Sequence, residues 1–145
     1  MARGFGPAAP VIQQRCPCGS GEVYQVCCHP LHSGRRLART AEQLMRSRYA
    51  AYALEEVDYL IETHPDPGVP AAERRRDLRQ SCRQTCWTGL VIQVVRGGDV
   101  EDLDGTVQFE AHYRTAGRGG VLRENSLFRR RGGQLDGAWY YCRAL

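Results

Sequence analysis

The chain contains no lysine; all 20 of its basic residues are arginine. A GC-rich genome accounts for that bias more simply than selection for guanidinium chemistry. No run approaches the roughly 18 to 20 apolar residues that span a bilayer, so membrane insertion is not expected. The N-terminus offers an arginine and small residues but no apolar stretch of the kind a secretory signal needs. Its Pro/Gly-rich start, residues 1–13, reads as a disordered tail, and the expected location is the cytoplasm. No nucleophile–base signature and no phosphate-cradling glycine loop occurs, which argues against an enzyme of those recognisable classes. The net charge of +4 is mild and permits an acidic partner such as RNA without requiring one. Arg74–Arg76 and Arg129–Arg131 are expected to be solvated faces rather than phosphate clamps.

What is present begins with length: 145 residues suit one ordinary domain, or a small domain with an attached module. The strongest signal is the distribution of the seven cysteines, an odd number that cannot pair completely. Four of them fall in the segment Cys16-Pro17-Cys18-Gly19-Ser20-Gly21-Glu22-Val23-Tyr24-Gln25-Val26-Cys27-Cys28-His29. Two close pairs separated by a short loop can place four thiolates around a small cation of borderline softness, with metal–sulfur bonds of about 2.3 Å. The expected cofactor is one structural zinc ion, since four protein ligands close the coordination shell and leave no position for a substrate. Cys16, Cys18 and Cys27 are the first three ligands and Cys28 is taken as the fourth. His29 is the reserve, and His32 is also within sequence reach. Gly19 and Gly21 let the chain turn under the ion, and backbone N–H groups there can donate to the sulfurs. Tyr24 and Val23 are the only apolar material for a miniature core, so metal binding is expected to supply most of the segment's folding energy.

The run CPCGSG, followed by a tyrosine and a Cys-Cys pair, resembles the SEC-C motif, named for the zinc-binding C-terminus of the secretion ATPase SecA. The continuation CCHPLHSGRRLARTAEQLMRSRYAAYALEEVDYLIETHP resembles the YchJ-like family, which joins that motif to a nuclear transport factor two-like domain. The resemblance covers about residues 14 to 143. It implies a zinc-binding motif over 14–32, a linker over 33–39, and a cone-shaped α+β domain over 40–145, but no settled activity. The loop from Glu22 to Val26 has no basic residue, whereas SEC-C loops are often lysine-rich, which weighs against carrying over chaperone, ribosome or lipid binding.

Periodicity gives a related picture of the second module without the resemblance. Thr40-Ala41-Glu42-Gln43 fits a capping box opening a helix to about Glu55, with Leu44, Arg48 and Ala51 on one stripe. A short helix from Val57 to Glu62 ends at Thr63-His64-Pro65-Asp66-Pro67, and Pro70 suits the first turn of a third helix reaching about Thr85. After Trp87 the pattern alternates: Leu90, Ile92 and Val94 share one face, then Val107, Phe109, Ala111 and Tyr113. Further strands are expected near 121–130 and 138–143. Three helices followed by four antiparallel strands make an α+β fold, with the helices packed on one face of the sheet, which the resemblance implies is curved. Cys82 and Cys86 are expected to pack in its core.

One strand carries an anomaly. Leu122, Glu124, Ser126 and Phe128 share a face, so a carboxylate and a hydroxyl sit between apolar neighbours. The preferred explanation is an ion pair from Glu124 to Arg48 or Arg46. The alternative is a polar centre in a pocket, with Arg48, Tyr52, His64, Tyr113 and Ser126 as co-lining residues and His64 with Glu124 as an acid–base pair. Two functional classes follow. In the favoured one, the chain is a non-enzymatic adaptor whose knuckle meets a protein or ribonucleoprotein partner. In the other, it is a small enzyme or ligand carrier using the pocket centred on Glu124. A third reading, direct RNA binding, wants aromatic residues interleaved with the charges, and the knuckle offers only Tyr24.

Overall fold

The structure is a computed structural model that describes residues 9–145. The expected disordered tail lies, for residues 1–8, outside the described residues; Val11–Gln13 form a single 3-10 turn. Four helices follow: α1 (His29–His32), α2 (Ala41–Leu54), α3 (Val57–Glu62) and α4 (Ala71–Gln84). Four strands complete the chain: β1 (Cys86–Gly97), β2 (Asp104–Thr115), β3 (Arg118–Arg130) and β4 (Trp139–Ala144). The strands form one antiparallel meander in the order β1-β2-β3-β4, the expected α+β arrangement.

Helix α2 is the axis of the fold. Its first turn is capped as the sequence suggests: Thr40 Oγ1 accepts from the Gln43 N–H at 3.0 Å. The Gln43 side chain reaches one residue further back than a capping box requires and accepts from the Arg39 N–H at 2.7 Å. The helix ends at Glu55, which adopts a left-handed conformation (φ 61°) and turns the chain into α3. Leu44, Met45 and Tyr49 of α2 pack on Val107 and Phe109 of β2, Phe128 of β3 and Trp139 of β4. This is the cone's core.

Two expectations about the sheet need correction. Val94 does not share the inner face with Leu90 and Ile92, because a β-bulge between Ile92 and Val94 shifts the register. Ile92 pairs with core Phe109, but Val94 then pairs with exposed Gln108 and Val95 with buried Val107. Cys82 and Cys86 do not pack in the core either. Cys82 is half-buried on α4, and Cys86 is exposed at the start of β1, because α4 stops at Gln84 and Thr85 is already extended. No residue of α4 is buried. Arg130 departs from the solvated face expected of its triplet: it is buried over the Trp139 ring and donates to the carbonyls of Asp102, Gly137 and Val100. Among the described residues, no helix is long and apolar enough to cross a membrane.

The β1–β2 turn is tied to the start of α2 through Gly98, whose carbonyl accepts from the Ala41 N–H at 2.9 Å. Gly98 has φ +72°, and a Cβ there would meet the Ala41 Cβ at 2.5 Å. Gly98→Ala combines a left-handed backbone with overpacking, so it is expected to cost about 2–3 kcal/mol. Urea denaturation should show a lower midpoint at unchanged slope, and a wild-type midpoint would contradict this account of the joint.

Candidate functional site

The knuckle is built by two glycine turns and a two-residue bridge. Gly19 and Gly21 both have positive φ (80° and 86°), conformations that a side chain would strain. Arg15 and Val23 form an antiparallel bridge, Cys16 N–H donates to Glu22 O at 2.8 Å, and Tyr24 N–H donates to Gln14 O at 2.8 Å. These bonds bring the Cys16–Cys18 turn against Cys27 and Cys28 at the start of α1. The four Sγ atoms lie within 4.8 Å of one another, with Cys18–Cys27 at 3.6 Å and Cys27–Cys28 at 3.9 Å. A tetrahedral site with metal–sulfur bonds of about 2.3 Å has its sulfurs about 3.8 Å apart, so the donor set fits a metal ion in both type and spacing. All seven cysteines are free thiols.

The sulfurs perturb one another strongly. Cys18 is driven far below the ordinary thiol range, chiefly by hydrogen bonds from the Cys16 and Cys28 thiols, with the Ser20 hydroxyl and backbone N–H adding. Cys16 is pushed up to about 12, first because its thiol donates to Cys18. Cys28 is pushed far above its usual range by its bonds to Cys16 and Cys18 and then by burial. Sulfurs this close cannot all ionise against one another without a cation among them. Ser20 Oγ also donates to Cys27 Sγ at 3.1 Å, an outer contact that orients this sulfur.

Both reserve ligands are engaged elsewhere. His29 accepts from Arg35 at 3.4 Å and lies edge-on to Tyr24. His32 accepts from the Tyr24 hydroxyl at 2.6 Å and donates through Nε2 to Ser47 O on α2 at 2.7 Å. Burial lowers its pKa, which suits a neutral ring with one donor and one acceptor. Tyr24 is buried as expected, but Val23 is 40% exposed. Ala50 and Leu54 of α2 take its place in the knuckle's core. Arg46 adds a bond from its Nη1 to Cys18 O at 2.8 Å. The knuckle therefore leans on the cone domain along one side of α2.

The second candidate site is a cleft of about 290 Å³ between α2, α4 and the inner face of the sheet. Arg48, Tyr52, Glu124 and Ser126 line it; His64 and Tyr113 do not. His64 donates from Nδ1 to Tyr141 O at 2.9 Å, and the Tyr113 ring covers Gly120 beside Trp87. The acid–base pair of His64 with Glu124 is thus not assembled. The expected ion pair is not made either, for no salt bridge among the described residues involves Glu124. Glu124 Oε2 instead accepts from the Ser126 hydroxyl at 2.5 Å and the Tyr141 hydroxyl at 3.0 Å. Arg48 is only 7% exposed, and its Nη1 donates to Leu60 O at 3.0 Å and Thr63 Oγ1 at 2.6 Å. Its guanidinium lies 5.1 Å from the Tyr141 ring centroid. Tyr141 thus presents its ring to the cation and its hydroxyl to the carboxylate. Burial first, and then the Glu124 charge, push its pKa up to about 12, so it stays a donor.

Tyr141 and Trp87 line the cleft although their sequence positions suggest only packing. The available signal was alternation in β4: Trp139 and Tyr141 share the inward face, one buried and one only half-covered.

The chain matches two family models, "YchJ, middle NTF2-like domain" over residues 40–144 and the SEC-C motif over residues 14–30. It is 41% identical over 127 residues to a UPF0225 protein of Geobacter sulfurreducens, spanning 87% of this chain and 75% of that one. The solution structure of a SEC-C motif containing protein from Rhodopseudomonas palustris, 35% identical, superposes with a TM-score of 0.73 over 90% of this chain and 96% of that one. The crystal structure of a SEC-C motif containing protein from Psychrobacter arcticus, 26% identical, gives 0.74 over 92% and 82%.

The geometry of the four sulfurs makes a direct prediction. Cobalt(II) added to the metal-stripped chain should give the intense visible absorption of a tetrahedral tetrathiolate site. Cys28→Ser should weaken and shift that spectrum, whereas His29→Ala should leave it unchanged. The reverse result would move the fourth ligand to His29.

Proposed function

This chain belongs to the YchJ-like family, and we propose that it is a small-molecule-binding protein whose cone domain carries the pocket. In this reading the knuckle, holding one structural zinc ion through Cys16, Cys18, Cys27 and Cys28, braces the helix that forms one pocket wall. The observation that carries it is Arg48, a buried guanidinium with no carboxylate in salt-bridge contact among the described residues, lining an open cleft. A buried charge left without an ion partner is costly. The cost is understandable where the group has a binding task, and apolar walls with a few convergent polar groups are what small-molecule sites present. Four thiolates in a tetrahedron favour zinc over the harder divalent ions. When bound, zinc supplies folding energy to a segment too small to fold by burial alone.

An adaptor role has one observation in its favour. Val26 and Val23 on the knuckle's outer side are 61% and 40% exposed, apolar surface that a protein or ribonucleoprotein partner could cover. The pocket reading is preferred because the knuckle's other side is already spent on α2, whereas the cleft remains open.

A fragment screen by protein NMR tests the proposal, with the Trp87 indole N–H as reporter. Compounds should shift Trp87 and the residues of β3 and β4 facing the cleft. Ala111→Phe, which fills the cleft floor, should abolish those shifts while leaving the knuckle resonances in place. Fragments that bind the filled variant as well as the wild type would remove the cleft from consideration. Shifts confined to Val23 and Val26 would transfer support to the adaptor.

A further inference from the structure

The geometry points to a ligand class for this pocket: we propose a small organic monoanion, a carboxylate on an aromatic or apolar body that also carries a hydrogen-bond donor. The inference rests on the pocket reading and adds to it the chemistry of the two charged groups.

Arg48 sets the first requirement. Among the described residues, only Nη1 of its guanidinium is held, through Leu60 O and Thr63 Oγ1. No sealed side-chain nitrogen or oxygen among the described residues lacks a partner, so the remaining guanidinium N–H groups are not sealed, and Arg48 is one of the residues that line the cleft. Arginine does not escape its charge by losing a proton, as a buried lysine can, and its planar fork matches a carboxylate in two parallel hydrogen bonds. Inside a cleft with apolar walls, that attraction is stronger than in water.

Glu124 sets the second requirement. Its Oε2 receives two hydroxyl donors, Ser126 and Tyr141, while Oε1 receives none among the described residues. A carboxylate is acceptor-only, so the ligand must bring a hydroxyl or N–H to this side. The same negative charge disfavours phosphate esters and dicarboxylates, which would place excess charge beside it. Met45, Trp87, Phe109 and Leu122 supply the apolar walls, and a volume of about 290 Å³ suits a one- or two-ring compound.

The test uses the full chain with its metal bound and three matched probes: para-hydroxyphenylacetate, its primary amide, and phenylacetate, which lacks the hydroxyl. Calorimetry gives affinities, and NMR confirms that shifts centre on Trp87. The hydroxy acid should bind at least about tenfold more tightly than the amide, the margin expected of one charge-assisted hydrogen-bond pair. Phenylacetate should fall between them. Arg48→Lys, which keeps the charge but loses the fork, should weaken the acid several-fold and leave the amide unaffected. Arg48 also braces α3 through Leu60 and Thr63, so the wild-type comparison of acid with amide carries the decision if the variant fails to fold. Equal binding of acid and amide at Trp87 would overturn the anion class while leaving the pocket reading intact. If none of the three probes perturbs the cleft at millimolar concentration, both fall.

Discussion

Helix α2 is buried on two sides at once, and the positions of both candidate sites depend on that. Toward the sheet it contributes Leu44, Met45 and Tyr49 to the cone's core. Toward the knuckle it contributes Ala50 and Leu54, while Arg46 and the Ser47 carbonyl form hydrogen bonds to Cys18 and His32. A helix of 14 residues with an apolar stripe on one side only would leave the knuckle without a surface. The small residues Ser47, Ala50 and Ala51 are all buried, and they let the knuckle approach the backbone closely. Ser47 meets the polar cost of that burial internally, donating to Leu44 O and accepting from the Tyr59 hydroxyl.

The same helix explains why Arg48 survives in the interior. Two positions from Arg46 and on the cone side, it reaches the C-terminal turn of α3, where Leu60 O and Thr63 Oγ1 accept its Nη1. Carbonyls at a helix end carry partial negative charge, so they stabilise a cation without neutralising it. The Tyr141 ring adds a further, cation–π contribution. These contacts hold the guanidinium in place and leave its charge uncancelled. Glu124 is treated in parallel: two hydroxyls steady it, and no cation among the described residues pairs with it. At the cleft Arg48 and Glu124 are thus bridged by Tyr141 rather than paired with each other.

How much of this could be read from residues alone follows the range of each interaction. The cysteine cluster was legible because its four members lie close in sequence and the glycines that turn the chain lie between them. The cap at Thr40, the break after Glu62 and the four strands were legible for the same reason: caps, prolines and alternation act locally. What failed depended on register. The bulge after Ile92 carries Val94 to the outer face, and nothing in VIQVV announces it. Glu124 finds Tyr141 only because β4 pairs with β3 across a register shift at Leu127/Phe128, and the ion pair expected from composition gives way to that hydroxyl. His64 sits close in sequence to cleft-forming segments, yet its Nδ1 is claimed by the Tyr141 carbonyl, a contact 77 residues away. Val23 was assigned to a core that the knuckle in fact borrows from α2.

These contacts give the knuckle and the cleft a common mechanical element without requiring any signal between them. The knuckle's cysteines and Tyr24 pack on Ala50 and Leu54 of α2, so a metal ion bound there would also hold that flank of the helix covered. Without that cover, the Ser47 carbonyl and the small-residue flank would face water, and α2 would lose packing along its second half. Arg48 lies in that half, and its charge is tolerable only while the α3 carbonyl and the Tyr141 ring remain in place. Helix α4, by contrast, closes the cleft with Ser81 but buries no residue of its own. The cleft therefore has one wall held from both sides and one held lightly. In such an enclosure the polar anchors belong on the firm wall and the sheet, where Arg48, Glu124 and Tyr141 are found.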